Sequence, residues 1–254
     1  MAGRLEGKVC VVTGASGGIG AATVAAMQRE GAKVAGVDLL EGAPGDLSIA
    51  ADVTSEEQVA DYYRQVKEAF GRIDVLFNNA GISPDDDASV LDTSVEAWQR
   101  VQDVNLKSVF LCCKHGIPHL LENEGPLRGS VVNTASFVAT LGAATSQISY
   151  TASKGGVLAM SRELGVQFAR RGLRVNALSP GPVNTPLLQE LFAKDPERAQ
   201  RRLVHVPTGR FAEAGEMAEA VVFLASDESS FVNASNFLVD GGVSGAYVTP
   251  LEAE

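Results

Sequence analysis

The sequence predicts a doubly wound α/β domain: a parallel sheet of about seven strands with helices on both faces. Three observations predict it. Short apolar, strand-like runs alternate with helix-like runs along the whole chain, the first strand ends in a glycine-rich turn that opens a helix, and no linker or shift in composition divides the 254 residues. Strands that are apolar throughout, rather than on every second residue, belong in a sheet buried on both sides. One domain spanning 1–254 is therefore expected.

The elements follow in order. Residues 8–13 form an apolar strand ending at Gly14, and residues 18–30 form a helix stopped by Gly31. Residues 33–37 and 47–53 give the second and third strands. Thr54 or Ser55 caps the next helix, and Glu56 and Glu57 suit the positive end of its dipole. Strand 73–79 precedes a long helix over about 95–121, and strand 130–136 precedes a helix over about 150–170. Strand 173–179, helices near 186–203 and 215–226, and strand 237–240 complete the set.

Charge and residue usage exclude several classes. Acidic residues outnumber basic ones 31 to 21, and a net charge of −10 repels phosphate backbones, so no nucleic-acid partner is expected. No apolar run reaches the roughly 18 residues that span a bilayer. Arg4, Glu6 and Lys8 precede only a short apolar strand, unlike a secretory signal, so a cytoplasmic location is expected. Cys10, Cys112 and Cys113 lie in apolar stretches and read as core residues. His115 and His119 have the i, i+4 spacing of a helix-borne metal pair. No Glu or Cys ligand stands at a useful spacing and Pro118 disturbs the helix, so no metal is expected.

The first chemical signal is the turn from Thr13 to Gly20, set between a strand and a helix. Gly14 permits a tight turn, Gly18 lets main chain approach a pyrophosphate, and Gly20 lets helix and strand pack closely. The helix N-terminus then offers free N–H groups to the phosphates. Gly14, Ser16, Gly18 and Ile19 are the expected cofactor-side residues of this turn. Asp38 ends the second strand, 18 residues beyond Gly20. A carboxylate there accepts both adenosine ribose hydroxyls and repels a 2′-phosphate. Neither Leu39 nor Leu40 is basic, so the pattern favours NAD over NADP.

The second signal is Tyr150 with Lys154 at i, i+4, on one helix face. A free phenol, with a pKa near 10, is a poor base at neutral pH. A neighbouring ammonium stabilises the phenolate, which makes Tyr150 a candidate general acid/base for an alcohol–carbonyl pair.

Together the residues resemble the short-chain dehydrogenase/reductase family over essentially the whole chain. The pieces that carry the resemblance are the Thr13 to Gly20 turn, Asp52-Val53, Asn78-Asn79-Ala80-Gly81, Asn105, Ser136, Tyr150 to Lys154, and Pro180 to Thr185, in the family's order and spacing. The resemblance implies a Rossmann-type sheet and assigns roles. Tyr150 is the proton donor or acceptor, Ser136 hydrogen-bonds the reacting oxygen, and Lys154 also binds the nicotinamide ribose. Asn105 holds a water linking Lys154 to solvent, a role compatible with that of a buried helix Asn satisfying main chain. Asp52 and Val53 contact the adenine, Asn79 to Gly81 line the adenine-ribose side, and Val183 and Thr185 fix the nicotinamide carboxamide. A homotetramer built through the two long helices and the last strand is implied as well. One departure is visible: Asn233-Ala234-Ser235-Asn236 replaces a Thr-Gly pair before the last strand, which bears on the turn there.

The resulting expectation is an NAD(H)-dependent oxidoreductase acting on a small-molecule secondary alcohol or ketone. The alternatives are a 3-oxoacyl-thioester reductase, whose acidic carrier would meet Arg170, Arg171 and Arg174, and a non-catalytic dinucleotide sensor. Those arginines equally read as compensation of a helix dipole. The resemblance also places a substrate lid at about 184–212. Leu187, Leu188, Leu191 and Phe192 would give it one apolar face, either over the substrate or packed on the domain or a subunit neighbour.

Overall fold

In the computed structural model, which describes residues 3–185, 189 and 203–245, the apolar runs form the strands. These are β1 (Val9–Thr13), β2 (Lys33–Asp38), β3 (Leu47–Ala50), β4 (Val75–Asn78), β5 (Gly129–Thr134) and β6 (Leu173–Pro180). Two short strands, β7 (Val183–Asn184) and β8 (Ala212–Glu213), pair with each other, and β9 (Asn236–Val239) follows. The helices are α1 (Gly18–Arg29), α2 (Glu56–Phe70), α3 (Val95–Gln102), α4 (Ser108–Leu121), α5 (Ile148–Phe168) and α6 (Ala214–Ala225). The sheet has seven parallel strands in the order β3-β2-β1-β4-β5-β6-β9. The chain winds outward from β1 to β3, returns to β4 and winds out the other way. The reversal between β1 and β4 leaves a crevice at the carboxyl ends of the strands, where such sheets bind ligands.

Successive side chains of a strand point to opposite faces, and β1 serves both cores. Val9 and Val11 pack with Tyr62, Tyr63, Leu111 and Val157, from α2, α4 and α5. Cys10 and Val12 pack with Val24, Met27, Val221 and Val222, from α1 and α6. Each fully buried aliphatic or aromatic side chain contributes about 1.5–3 kcal/mol. All three cysteines are buried thiols.

Four sequence expectations are revised or filled in. The long helix at 95–121 is two helices, α3 and α4, joined by a π-helical turn over Asp103–Lys107. The widened turn carries Asn105, which bonds to the loop after β4, and wide turns of this kind are typical of functional sites. Pro118 does not break α4, which continues to Leu121. Arg174 does not join a surface cluster with Arg170 and Arg171. It is buried in β6, and its guanidinium donates to the carbonyls of Leu224 (2.8 Å) and Ser226 (3.0 Å) and to Ser229 Oγ (2.7 Å). It thereby satisfies carbonyls that the end of α6 leaves open. Finally, in the Asn233–Asn236 turn Ala234 takes a left-handed φ of +54°, and Asn233 bridges Val175 N–H and the Gly165 carbonyl.

Apart from Gln189 and Leu203, the expected helix near 186–203 lies outside the described residues, Leu187, Leu188, Leu191 and Phe192 among them. Flanking that stretch, Val183 pairs with Ala212 and Asn184 with Glu213. No helix among the described residues is long and apolar enough to cross a membrane.

Candidate active site

The expected cofactor and catalytic residues, Asn105, Tyr150 and Lys154 apart, stand at or just beyond the carboxyl ends of strands or at the start of α1. Gly14 leaves β1 with a φ of +64°, and a Cβ there would lie 2.9 Å from Ala80 Cα. A Cβ on Gly20 would lie 2.0 Å from the Gly14 carbonyl oxygen, so Gly20 lets α1 close on the turn itself. Gly18 opens α1 and Ile19 packs against the α1/α6 core. Gly17 brings no capping side chain and no acid stands in the first turn of α1, which leaves its positive end suited to an anion. A dinucleotide fits this cradle: Gly14 and Gly20 admit no side chain, and the turn ends on a helix without a capping side chain.

Asp38 ends β2 beside that turn. Its Oδ2 accepts the Ser16 N–H and its Oδ1 the Leu39 N–H, each at 2.8 Å. Each oxygen keeps a lone pair for a ribose hydroxyl. Asp52, just past β3, accepts both the N–H and the hydroxyl of Thr54 on Oδ1 at 2.8 Å, so it also shapes the turn into α2. Val53 beside it is buried, and Ser55 caps α2.

The loop after β4 is pinned from two sides. Thr13 Oγ1 accepts the N–H groups of Asn79 (3.0 Å) and Ala80 (3.2 Å), and Asn79 Nδ2 donates to the Thr13 (3.2 Å) and Gly14 (3.3 Å) carbonyls. The Asn79 amide therefore holds the glycine turn. Asn105, fully buried, grips Ile82: its Oδ1 accepts the Ile82 N–H at 2.8 Å and its Nδ2 donates to the Ile82 carbonyl at 2.9 Å. Nδ2 also reaches Ser153 Oγ at 3.3 Å. The structural role expected for a buried Asn is thus present.

Tyr150 and Lys154 share one face of α5, with Lys154 Nζ 5.6 Å from the Tyr150 ring centroid. Lys154 is only 3% exposed, and its Nζ donates to the Thr134 carbonyl at 2.8 Å. Burial pulls its ammonium down to a pKa of about 8. A Cβ on Gly81 would lie 3.2 Å from Asn105 Oδ1 and 3.4 Å from Lys154 Nζ. Gly81, Asn105 and Lys154 therefore converge on one point. Ser136 stands two residues beyond Thr134, buried, its hydroxyl accepting the Val138 N–H at 3.4 Å. Val183 is buried in β7, and the Thr185 N–H donates to its carbonyl at 2.9 Å. Among the described residues no three His, Cys, Asp or Glu side chains form a metal-binding group, and His115 Nε2 lies 3.0 Å from Glu56 Oε1.

One residue at the site escaped sequence reasoning. Asp87 is a buried carboxylate that accepts the N–H groups of Ser149 (2.9 Å) and Tyr150 (2.7 Å) at the start of α5. In sequence it is the last of three consecutive aspartates, Asp85 to Asp87, and nothing distinguishes it from a solvated run.

Residues 14–244 match the protein-family model described as enoyl-(acyl carrier protein) reductase. The chain is 39% identical to the 3-oxoacyl-[acyl-carrier-protein] reductase FabG of Thermotoga maritima, over 94% of this chain and 99% of that one. It is also 39% identical to D-threitol dehydrogenase of Mycolicibacterium smegmatis, over 94% of each. The solved structure of the Thermoplasma acidophilum aldohexose dehydrogenase, in ligand-free form, superposes with a TM-score of 0.88 at 31% identity, covering 99% of this chain and all of that one. The fold, the family model and relatives aligned end to end agree that this chain belongs to the short-chain dehydrogenase/reductase family of oxidoreductases, which use nicotinamide dinucleotides.

Proposed function

We propose that this protein is an NAD(H)-dependent oxidoreductase that interconverts a secondary alcohol and a ketone, with Tyr150 as general acid/base. The observation that carries the reading is the buried Lys154 ammonium beside Tyr150 on α5, held by the Thr134 carbonyl. A buried cation next to a phenol favours the phenolate, and Lys154 in a dry site does so more strongly than a solvated lysine.

A bound nicotinamide supplies or accepts the hydride. The chain's own residues do the rest. Gly14, Ser16, Gly18 and Ile19 would hold the pyrophosphate side, Asp38 the adenosine ribose, and Asp52 and Val53 the adenine. Asn79 and Gly81 would line the ribose side, and Val183 and Thr185 would orient the carboxamide. Lys154 would serve the nicotinamide ribose as well as Tyr150. As a ketone is reduced, charge grows on its oxygen, where Ser136 and Tyr150 donate. Tyr150 gives up its proton, and Asn105, near Gly81 and Lys154, would hold a water that returns one. Holding hydride donor and carbonyl carbon in register supplies much of the acceleration.

The relatives' names span a 3-oxoacyl thioester, a polyol and an aldohexose, which have in common an alcohol or carbonyl carbon. A 3-oxoacyl-carrier reductase is the second reading, favoured by the FabG relative. Two features weigh against it: Asp38 opposes NADPH, and the burial of Arg174 leaves only Arg170 and Arg171 of the basic cluster for an acidic carrier. A homotetramer fits the exposed Val95, Trp98 and Phe110 on α3 and α4, and Val166 and Leu238 on α5 and the edge strand β9. A panel of ketones, sugars and acyl thioesters assayed with NADH and NADPH tests the reading. Turnover of a simple ketone or its alcohol with NAD(H) supports it. Turnover of acyl thioesters alone with NADPH would favour the second reading, and cofactor binding with no turnover would leave a dinucleotide sensor.

A further inference from the structure

The loop between β4 and α3 touches two parts of the site. At its start Asn79 holds the glycine turn, Gly81 abuts Lys154 and Ile82 is clamped by Asn105. At its far side stands Asp87, only 5% exposed. Its two oxygens divide the labour: Oδ1 accepts the Ser149 N–H at 2.9 Å and Oδ2 the Tyr150 N–H at 2.7 Å. The carbonyl of Ala88 accepts the Ile148 N–H at 3.2 Å.

A helix leaves its first N–H groups without intrahelical partners, and a local Ser, Thr, Asp or Asn normally takes one of them. Gln147, which precedes α5, makes no capping side-chain hydrogen bond. The loop does the work instead, from 62 and 63 residues upstream. Ser149 is held again from the side: its hydroxyl donates to the Trp98 carbonyl, and Gln102 Nε2 donates to Ser149 Oγ and to its carbonyl, all at 2.9 Å. The other aspartates of the run differ, since Asp85 is exposed and Asp86 is an exposed partner of Arg100. A helix of 21 residues does not need this grip to exist. The grip decides where the helix begins, and Tyr150 is its third residue. Lys154, one turn on, has its own anchor in Thr134.

We propose that Asp87 is a positioning residue for Tyr150: its carboxylate fixes the first turn of α5, and with it the phenol, against the same loop that faces the cofactor. The inference rests on reading Tyr150 as the acid/base. Asn at 87 keeps one acceptor but turns an N–H donor toward the other main-chain N–H, and Ala keeps neither acceptor.

The test uses the full chain as Asp87→Asn and Asp87→Ala, with three measurements. These are NADH affinity by fluorescence, kcat and KM for the best carbonyl substrate of the panel, and amide hydrogen exchange along α5. The expected result is a kcat lower by about tenfold in Asp87→Asn and about a hundredfold in Asp87→Ala, the scale of an ångström-level misplacement. NADH affinity should stay within about threefold, because the proposed cofactor contacts are untouched. Exchange should speed up at Ser149 and Tyr150 and stay slow in the rest of α5. If Asp87→Ala fails to fold, Asp87→Asn decides. Wild-type exchange at Ser149 and Tyr150, an unchanged kcat, or a loss shared equally by NADH affinity would overturn the proposal. Failure of the wild-type protein to turn over any carbonyl overturns the oxidoreductase reading instead, and exchange at the two amides then decides whether Asp87 holds the turn.

Discussion

Asp38→Asn tests the proposed preference for NAD over NADP. The carboxylate is tied by the Ser16 and Leu39 N–H groups, each at 2.8 Å, so it cannot swing away from a 2′-phosphate without breaking the link to the glycine turn. The repulsion can be estimated. A phosphate monoester carries about −2 at neutral pH. Against one carboxylate charge at about 5 Å, with an effective dielectric of roughly 60 near the surface, Coulomb's law gives about 2 kcal/mol, or roughly thirtyfold. The wild-type protein should therefore prefer NADH by at least about tenfold in kcat/KM. Asn removes the charge and keeps one acceptor for the turn. It should cut the NADH-to-NADPH ratio by about thirtyfold at low salt, and by less in concentrated salt, where the charges are screened. The assay is steady-state kcat/KM with each cofactor at two ionic strengths. Equal use of the two cofactors by the wild type, or a ratio unmoved by Asp38→Asn, would refute the reasoning.

Two predictions concern stability. Burial lowers Lys154 from an ordinary 10.5 to about 8, so its charge costs folding free energy below about pH 8, and the cost fades as pH rises toward 10.5. Lys154→Met should thus raise stability at pH 7 by up to about 3 kcal/mol while destroying turnover. Urea unfolding at pH 7 and 10 checks this: a variant less stable than wild type at pH 7, or a difference independent of pH, would contradict it. Ala234 holds a left-handed φ of +54°. Ala234→Gly relieves a strain of about 1 kcal/mol and returns part of it as chain entropy, for a net gain of about 0.5 kcal/mol and a Tm higher by about 1–2 °C. A lowered Tm in calorimetry would show that the turn does not strain Ala234.

Much of the fold was legible because apolar runs and turn residues are local. The β1 run reads as buried, and it is buried on both faces, feeding two cores. Gly14 reads as a tight turn and has the positive φ that requires glycine. What stayed hidden depends on contacts distant in sequence. The π-helical turn at Asn105 is shaped by Ile82, 23 residues away, and no local signal in 95–121 announces it. Arg174 looked like part of a basic cluster because neighbouring residues suggested it. Its strand position turns it inward to the carbonyls that end α6, 50 and 52 residues later. Asp87 was lost in an acidic run because a carboxylate that caps a remote helix looks, in sequence, like one facing water. The family motifs pointed to the expected site residues, but not to the bond of the Asn79 amide to the glycine turn or of an Asp52 oxygen to Thr54.

On the proposed function, Tyr150 moves the proton in a nicotinamide-linked alcohol–carbonyl reaction. The most direct measurement compares wild type with Tyr150→Phe, taking kcat for the best ketone under conditions where hydride transfer limits the rate, and NADH affinity by fluorescence. In Tyr150→Phe kcat should fall by about two to four orders of magnitude, the worth of a positioned acid/base, with NADH affinity nearly unchanged. A variant that keeps more than about a tenth of wild-type kcat under those conditions would contradict it.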